Sequence, residues 1–149
     1  MTFQELQTLV DYHYWARDRL LEATEHLTPE EFTRDLGNSF PSIRDTAVHL
    51  YAADWIWCCR WEGESPAAMP EASAFPDFDS IRTTWNAHEP RVRAVLDRLG
   101  EEGIQRPIAY RTTDGRDQAQ VFWQMLQHLV NHGSYHRGQV TTMMRQLKV

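Results

Sequence analysis

Four stretches of the chain place apolar residues at alternating three- and four-residue steps, the spacing of one helical face. In the first, Leu6, Leu9, His13, Ala16, Leu20, Ala23 and Leu27 form a stripe. It opens at "TFQE", where the Thr2 hydroxyl and the Glu5 carboxylate are placed to make a capping box. "TPEEF" after Leu27 reads as another cap, with proline at the first helical position and a short turn of helix behind it. The second long helix opens at "SIRD", Ser42 to Asp45, and its inward positions are Thr46, His49, Leu50, Ala53, Ile56 and Trp57. The third starts at Asp79 and carries Ile81, Trp85, Val92, Val95, Leu96 and Leu99. Pro90 falls inside it, which predicts a kink or a restart. The fourth runs from about Gln118 to Leu147 along Phe122, Met125, Leu129, His132, His136, Gln139 and Met143.

The links differ in character. "EGESPAAMPEASAFPDF" holds three prolines among small residues and makes a long crossing loop between the second and third helices. "RPIAYRTTDGRDQAQ" contains the tight-turn pair Asp114-Gly115 and predicts a short hairpin or an irregular segment before the last helix. Together these elements predict an all-α four-helix bundle, one domain over residues 1–149.

Composition narrows the function classes. Of the 149 residues, 42% are hydrophobic and six are tryptophan, enough apolar volume for a packed interior. The net charge of −6, with no basic run, argues against nucleic-acid binding. No apolar run reaches membrane-spanning length and the amino terminus is polar and acidic, so no membrane association and a cytoplasmic location are expected. Cys58 and Cys59 are adjacent, badly placed to bridge each other, and read as inert buried thiols.

"HLVNHGSYHRGQV", His128 to Val140, spaces three histidines four residues apart. His132 and His136 fall on the inward seam, and His128 falls on its shoulder. One turn separates the seam pair, about 6 Å along the axis, so their rings can converge on one ion. His128 and His136 are about 12 Å apart and lean the same way, so all three do not share a metal. Burying two imidazoles requires partners for both. His49, with Thr46 and Ala53 leaving room around it, is the best third ligand from another helix, and His13 is the reserve. The alternative is that these are hydrogen-bonded core histidines repeating at helical spacing.

The chain also resembles the DinB/YfiT-like family, whose members are regarded as metalloenzymes. "YHYWARDRLLEATEHLTPEEF" is similar to the family's first helix and its exit, and "SIRDTAVHLYAADWIW" to its second helix with a metal histidine. "HLVNHGSYHRGQV" is similar to its carboxy-terminal signature. The resemblance implies a four-helix bundle, a homodimer, and a metal triad at His49, His132 and His136.

Three imidazoles suit a divalent zinc, nickel or iron ion and leave coordination positions open for water or a small-molecule substrate. The leading expectation is a metal-dependent S-transferase using a low-molecular-weight thiol cosubstrate, as some relatives in the wider superfamily do. A metal-water hydrolase is the second, weakened by want of a general base, since Asp54 points to another side of its helix and Glu62 lies near the helix end. A non-catalytic, metal-binding stress-response dimer is the third. Gln139 is read as orienting a ligand or bonding in the core, Arg137 as tied to a carboxylate or a dimer partner, and Gly138 as permitting close helix approach. Tyr135 is read as packing near the site, His26 as a favourable charge at the end of the first helix, and His88 as a surface residue. The two irregular links, Glu62 to Phe78 and Ile108 to Gln118, are expected to admit the substrate.

Overall fold

Every α-helix but the last begins where a side chain can satisfy free backbone N–H groups. In a computed structural model describing all residues 1–149, α1 (Phe3–Thr24) and the single-turn α2 (Pro29–Thr33) both start from full capping boxes, at Thr2 and Thr28. The Ser42 hydroxyl caps α3 (Ile43–Trp61) by accepting from the Asp45 amide. Asp77 caps α4 (Phe78–Gly103), one residue earlier than the sequence suggests.

Two expectations are corrected in the second half of the chain. Pro90 does not break α4; the helix runs through it and departs from helical geometry only at Gly100, whose φ of 58° and ψ of −171° suit a residue without a Cβ. The last helix, α5 (Phe122–Leu147), starts later than Gln118, because residues 117–121 form a strand instead. That strand, β2 (Asp117–Val121), pairs antiparallel with β1 (Pro107–Arg111), Ala109 opposite Ala119, around a turn holding Gly115 at φ 86°. The hairpin alternative is therefore the observed one. The long crossing link contains only a 3-10 turn at Ala72–Ala74. No helix is long and apolar enough to cross a membrane.

α1, α3, α4 and α5 form the all-α bundle, and its interior is divided in two. One apolar cluster holds Leu6, Val10, Trp61, Val95, Phe122 and Leu129 among others. The second, toward the opposite end, holds Leu20, Ile43, Leu50, Ile81, Val140 and Met143. Between them each long helix contributes polar side chains to a band: His13 and Arg17 from α1, His49 and Asp54 from α3, His88 from α4, His132 and His136 from α5. The candidate chemistry is confined to this waist.

Candidate metal centre

Seven residues into α3, His49 leaves the helix between two small neighbours. Thr46, one turn before, turns its hydroxyl back to the Ser42 carbonyl at 2.9 Å, and Ala53 follows one turn after. α5 runs past this point and presents His132 and His136 with ring centroids 4.4 Å apart. The His49 ring lies 4.8 Å from His132 and 4.6 Å from His136, and the two Nε2 atoms of His49 and His132 are 2.9 Å apart. One ring nitrogen from each of the three falls within 4.8 Å of the others, so the structure brings the sequence-predicted triad together.

The surroundings hold His49 and His132 neutral and orient His136. Burial, then the neighbouring His136, lowers the pKa of His49 to about 4. Burial and His136, with smaller contributions from His49 and others, do the same to His132. Both therefore offer lone pairs at neutral pH. The Gln139 amide oxygen lies 2.6 Å from His136 Nδ1, so that nitrogen must carry the proton and Nε2 is left as the donor to a cation. Phe40, from the loop before α3, stacks on His49 at 4.1 Å and meets the edge of His136 at 5.4 Å.

These residues fit a divalent cation. Tetrahedral zinc–imidazole bonds of about 2.0–2.1 Å place ligand nitrogens about 3.3 Å apart. The observed separations, 2.9 Å between His49 and His132 Nε2 and within 4.8 Å across the set, lie around that value. His132 Nδ1 is buried with no hydrogen-bond partner, so this ring is not explained as a satisfied core histidine. His49 and His132 remain partly accessible, so a cation there would have a side facing solvent.

Other sequence-based expectations are redistributed. His13 does not join the triad; its Nε2 lies 3.4 Å from Asp54 Oδ2, without hydrogen-bond geometry. Asp54 does point away from the triad, into the waist, where it is wholly buried. It accepts from Trp85 Nε1 at 2.9 Å and more distantly from the Tyr14 hydroxyl at 3.5 Å. Burial pushes its pKa up, but His13, His88 and the Trp85 bond outweigh this and hold it below the usual carboxylate value. His88 is not a surface residue: it is 6% exposed, packed against Tyr51, with burial lowering its pKa. Arg137 binds the Ser134 hydroxyl and stacks over Tyr12 rather than a carboxylate. Gly138 faces open space; Gly133 is the crowded glycine, where an added Cβ would lie 2.7 Å from the Arg137 guanidinium and 3.8 Å from His13. Tyr135 is largely exposed but edges the His136 ring at 5.0 Å. His26 is exposed beside Glu25, just past the end of α1. Cys58 and Cys59 are buried, and burial raises the Cys58 thiol to about 12, which leaves it inert.

Three residues had weaker signals in the sequence. Phe40 is an aromatic in the polar loop "GNSFPS", Asp54 is a single acid inside the apolar run "LYAADWIW", and Arg60 is flanked by cysteine and tryptophan. Each is the odd residue of its neighbourhood.

A profile of the DinB family matches residues 1–147. Protein DinB of Bacillus subtilis (strain 168) is 23% identical over 145 residues, which cover 93% of this chain and 83% of that protein. The uncharacterized protein YizA of the same organism is 22% identical over 143 residues, covering 93% and 86%. A crystal structure of a DinB-like protein from Bacillus cereus superimposes with a TM-score of 0.66 at 17% identity, over 95% of this chain and 92% of that one, a likeness of fold.

Proposed function

The chain belongs to the DinB family, and from that premise we propose that it is a metal-dependent enzyme. In this reading His49, His132 and His136 hold one divalent zinc, nickel or iron ion, and the reaction joins a low-molecular-weight thiol to a small electrophilic molecule. The observation that carries it is the convergence of three imidazoles from two helices on one point, two of them still reachable from solvent. A bound divalent ion would supply Lewis acidity, keeping a thiol in its nucleophilic thiolate form at neutral pH.

The chain's own residues prepare for that role. Burial keeps His49 and His132 unprotonated well below pH 7, so no proton competes with a cation there. Gln139 fixes the His136 tautomer, and Phe40 covers one face of His49 and restricts its rotation. Hydrolysis fits less well, because it needs a group to take a proton from water, and neither Asp54 nor Glu62 is free to do so. Asp54 is fully buried on Trp85, and Glu62 accepts from Arg91 Nε at 2.8 Å.

Metal analysis of purified protein should return about one divalent ion per chain, lost in His132→Ala, with metal-dependent consumption of at least one thiol alongside an electrophilic acceptor. An unmetallated protein after supply of divalent ions, or thiol consumption indifferent to metal, would overturn this reading.

A further inference from the structure

Two arginines are buried in this protein, and they are treated differently. Arg17 is paired with Asp18 and Glu89. Arg60, in the last turn of α3 and only 8% exposed, has no acidic partner. Its guanidinium carbon lies 4.7 Å from the Trp57 ring and 4.8 Å from the Tyr110 ring of β1, and those rings meet at 5.4 Å. Its Nε is enclosed without a hydrogen-bond acceptor. Burial lowers its pKa and the Tyr110 phenol is the group opposing that; a guanidinium nonetheless stays charged. Aromatic faces offset part of the desolvation but accept none of its N–H donors in the fork-like manner that a carboxylate does. A guanidinium that makes no ion pair, with its Nε enclosed and unbonded, is a binding group for an anion, although the chain's net charge is −6.

Its position relative to the triad gives the anion a context. His49 and Arg60 are eleven residues apart on α3, so they project within about 20° of each other and lie about 16 Å apart along the axis. His128 on α5 fills the gap, its ring 5.7 Å from Trp57 and 6.1 Å from His132. A track of imidazole and aromatic rings thus leads from the triad to the guanidinium, and the hairpin's Tyr110 closes its far end.

We propose that this track binds an elongated small molecule whose carboxylate docks on Arg60 while its reacting end lies at the histidine triad. The proposal rests on the reading of the triad as a metal centre that binds a thiol. A carboxylate fits better than a phosphate because one guanidinium, with no second cation beside it, matches one negative charge in the planar, two-pronged geometry a carboxylate offers.

The test uses cobalt-loaded protein, in which sulfur ligation gives a charge-transfer band. Reduced glutathione, which carries two carboxylates, should bind about tenfold or more tightly than uncharged 2-mercaptoethanol. In Arg60→Gln that ratio should fall to about one, and Arg60→Lys should restore part of it. In the wild type, the diethyl ester of glutathione should lose the advantage, an arm that needs no variant to fold. S-methylglutathione, which has no thiol to ligate, should bind by calorimetry in an Arg60-dependent manner, and inorganic phosphate should compete with it weakly. Equal binding of the charged and uncharged thiols, or a preference that survives esterification or Arg60→Gln, overturns the proposal, as does failure of S-methylglutathione to bind. If no thiol produces the cobalt band while S-methylglutathione binds through Arg60, the anion subsite stands and the thiol reading of the triad falls.

Discussion

At the scale of single residues, two contacts decide what the waist can do. The bond from Gln139 to His136 Nδ1 sets which nitrogen faces a cation. Groups that orient a metal-binding imidazole in this way typically contribute 10–100-fold to affinity. Gln139→Leu should therefore weaken metal binding by about that factor in competition with a chromophoric chelator, while the melting temperature of the metal-free protein changes little. Asp54 works differently, since it anchors Trp85, Tyr14 and His13 with a charge that has no access to water. Removing one member of such a buried set costs about 3–5 kcal/mol. Asp54→Ala should lower the melting temperature by roughly 10 °C, on the usual scaling for a chain of this size. A loss of metal affinity without loss of stability in Asp54→Ala would show that this carboxylate serves the triad instead.

At the scale of elements, what could be read from the sequence is what depends on local spacing. Caps at Thr2, Thr28 and Ser42 need only a side chain and an amide three residues on, and all three are formed. The seam of α5 was legible because His132 and His136 replace apolar residues at apolar positions. The burial of His88 and Asp54 is not legible in the sequence because it is set by helices far away along the chain: Tyr51 covers the first, and His13 and Trp85 enclose the second. The start of α5 lies later than local spacing suggests, because a run such as Asp117 to Val121 becomes a strand only when β1 pairs with it. Pro90 illustrates the same limit from the other direction. Packing of Trp85, Val92 and Val95 into the apolar clusters keeps α4 helical across a residue that disfavours helix. Pro90 is exposed and removes one backbone hydrogen bond from that helix. Pro90→Ala should accordingly raise stability by about 1–3 kcal/mol, seen as a melting temperature several degrees higher. A fall would mean that the proline shapes α4 in a way packing depends on.

At the scale of the whole molecule, the polar waist joins two apolar clusters and makes their association sensitive to acid. In the metal-free protein His49 and His132 bind protons only near pH 4, whereas in the unfolded chain they do so near the ordinary value of 6.5. Above about pH 6.5 both states are neutral and the pair contributes no pH dependence. Between 6.5 and 4 the unfolded chain takes up protons that the folded chain refuses, so unfolding becomes progressively easier as pH falls. Asp54 acts in the same direction lower down, since its depressed pKa gives stability that is lost as it protonates. A divalent ion would reinforce the neutral forms: at a hundredfold excess over its dissociation constant it adds about 2.7 kcal/mol. Denaturant titrations of metal-free protein from pH 7.5 to pH 4 should therefore show stability flat at first, then falling below about 6.5. His49→Gln and His132→Gln should each flatten part of that slope. The same series with saturating zinc should lie above the metal-free one, begin its fall at the same pH and continue falling further. The unfolded chain still takes up protons below about 6.5, while the bound rings stay unprotonated until the ion is displaced. A slope that His132→Gln leaves unaltered would place the acid sensitivity outside the triad, and a zinc series that overlays the metal-free one would remove the cation from the waist altogether.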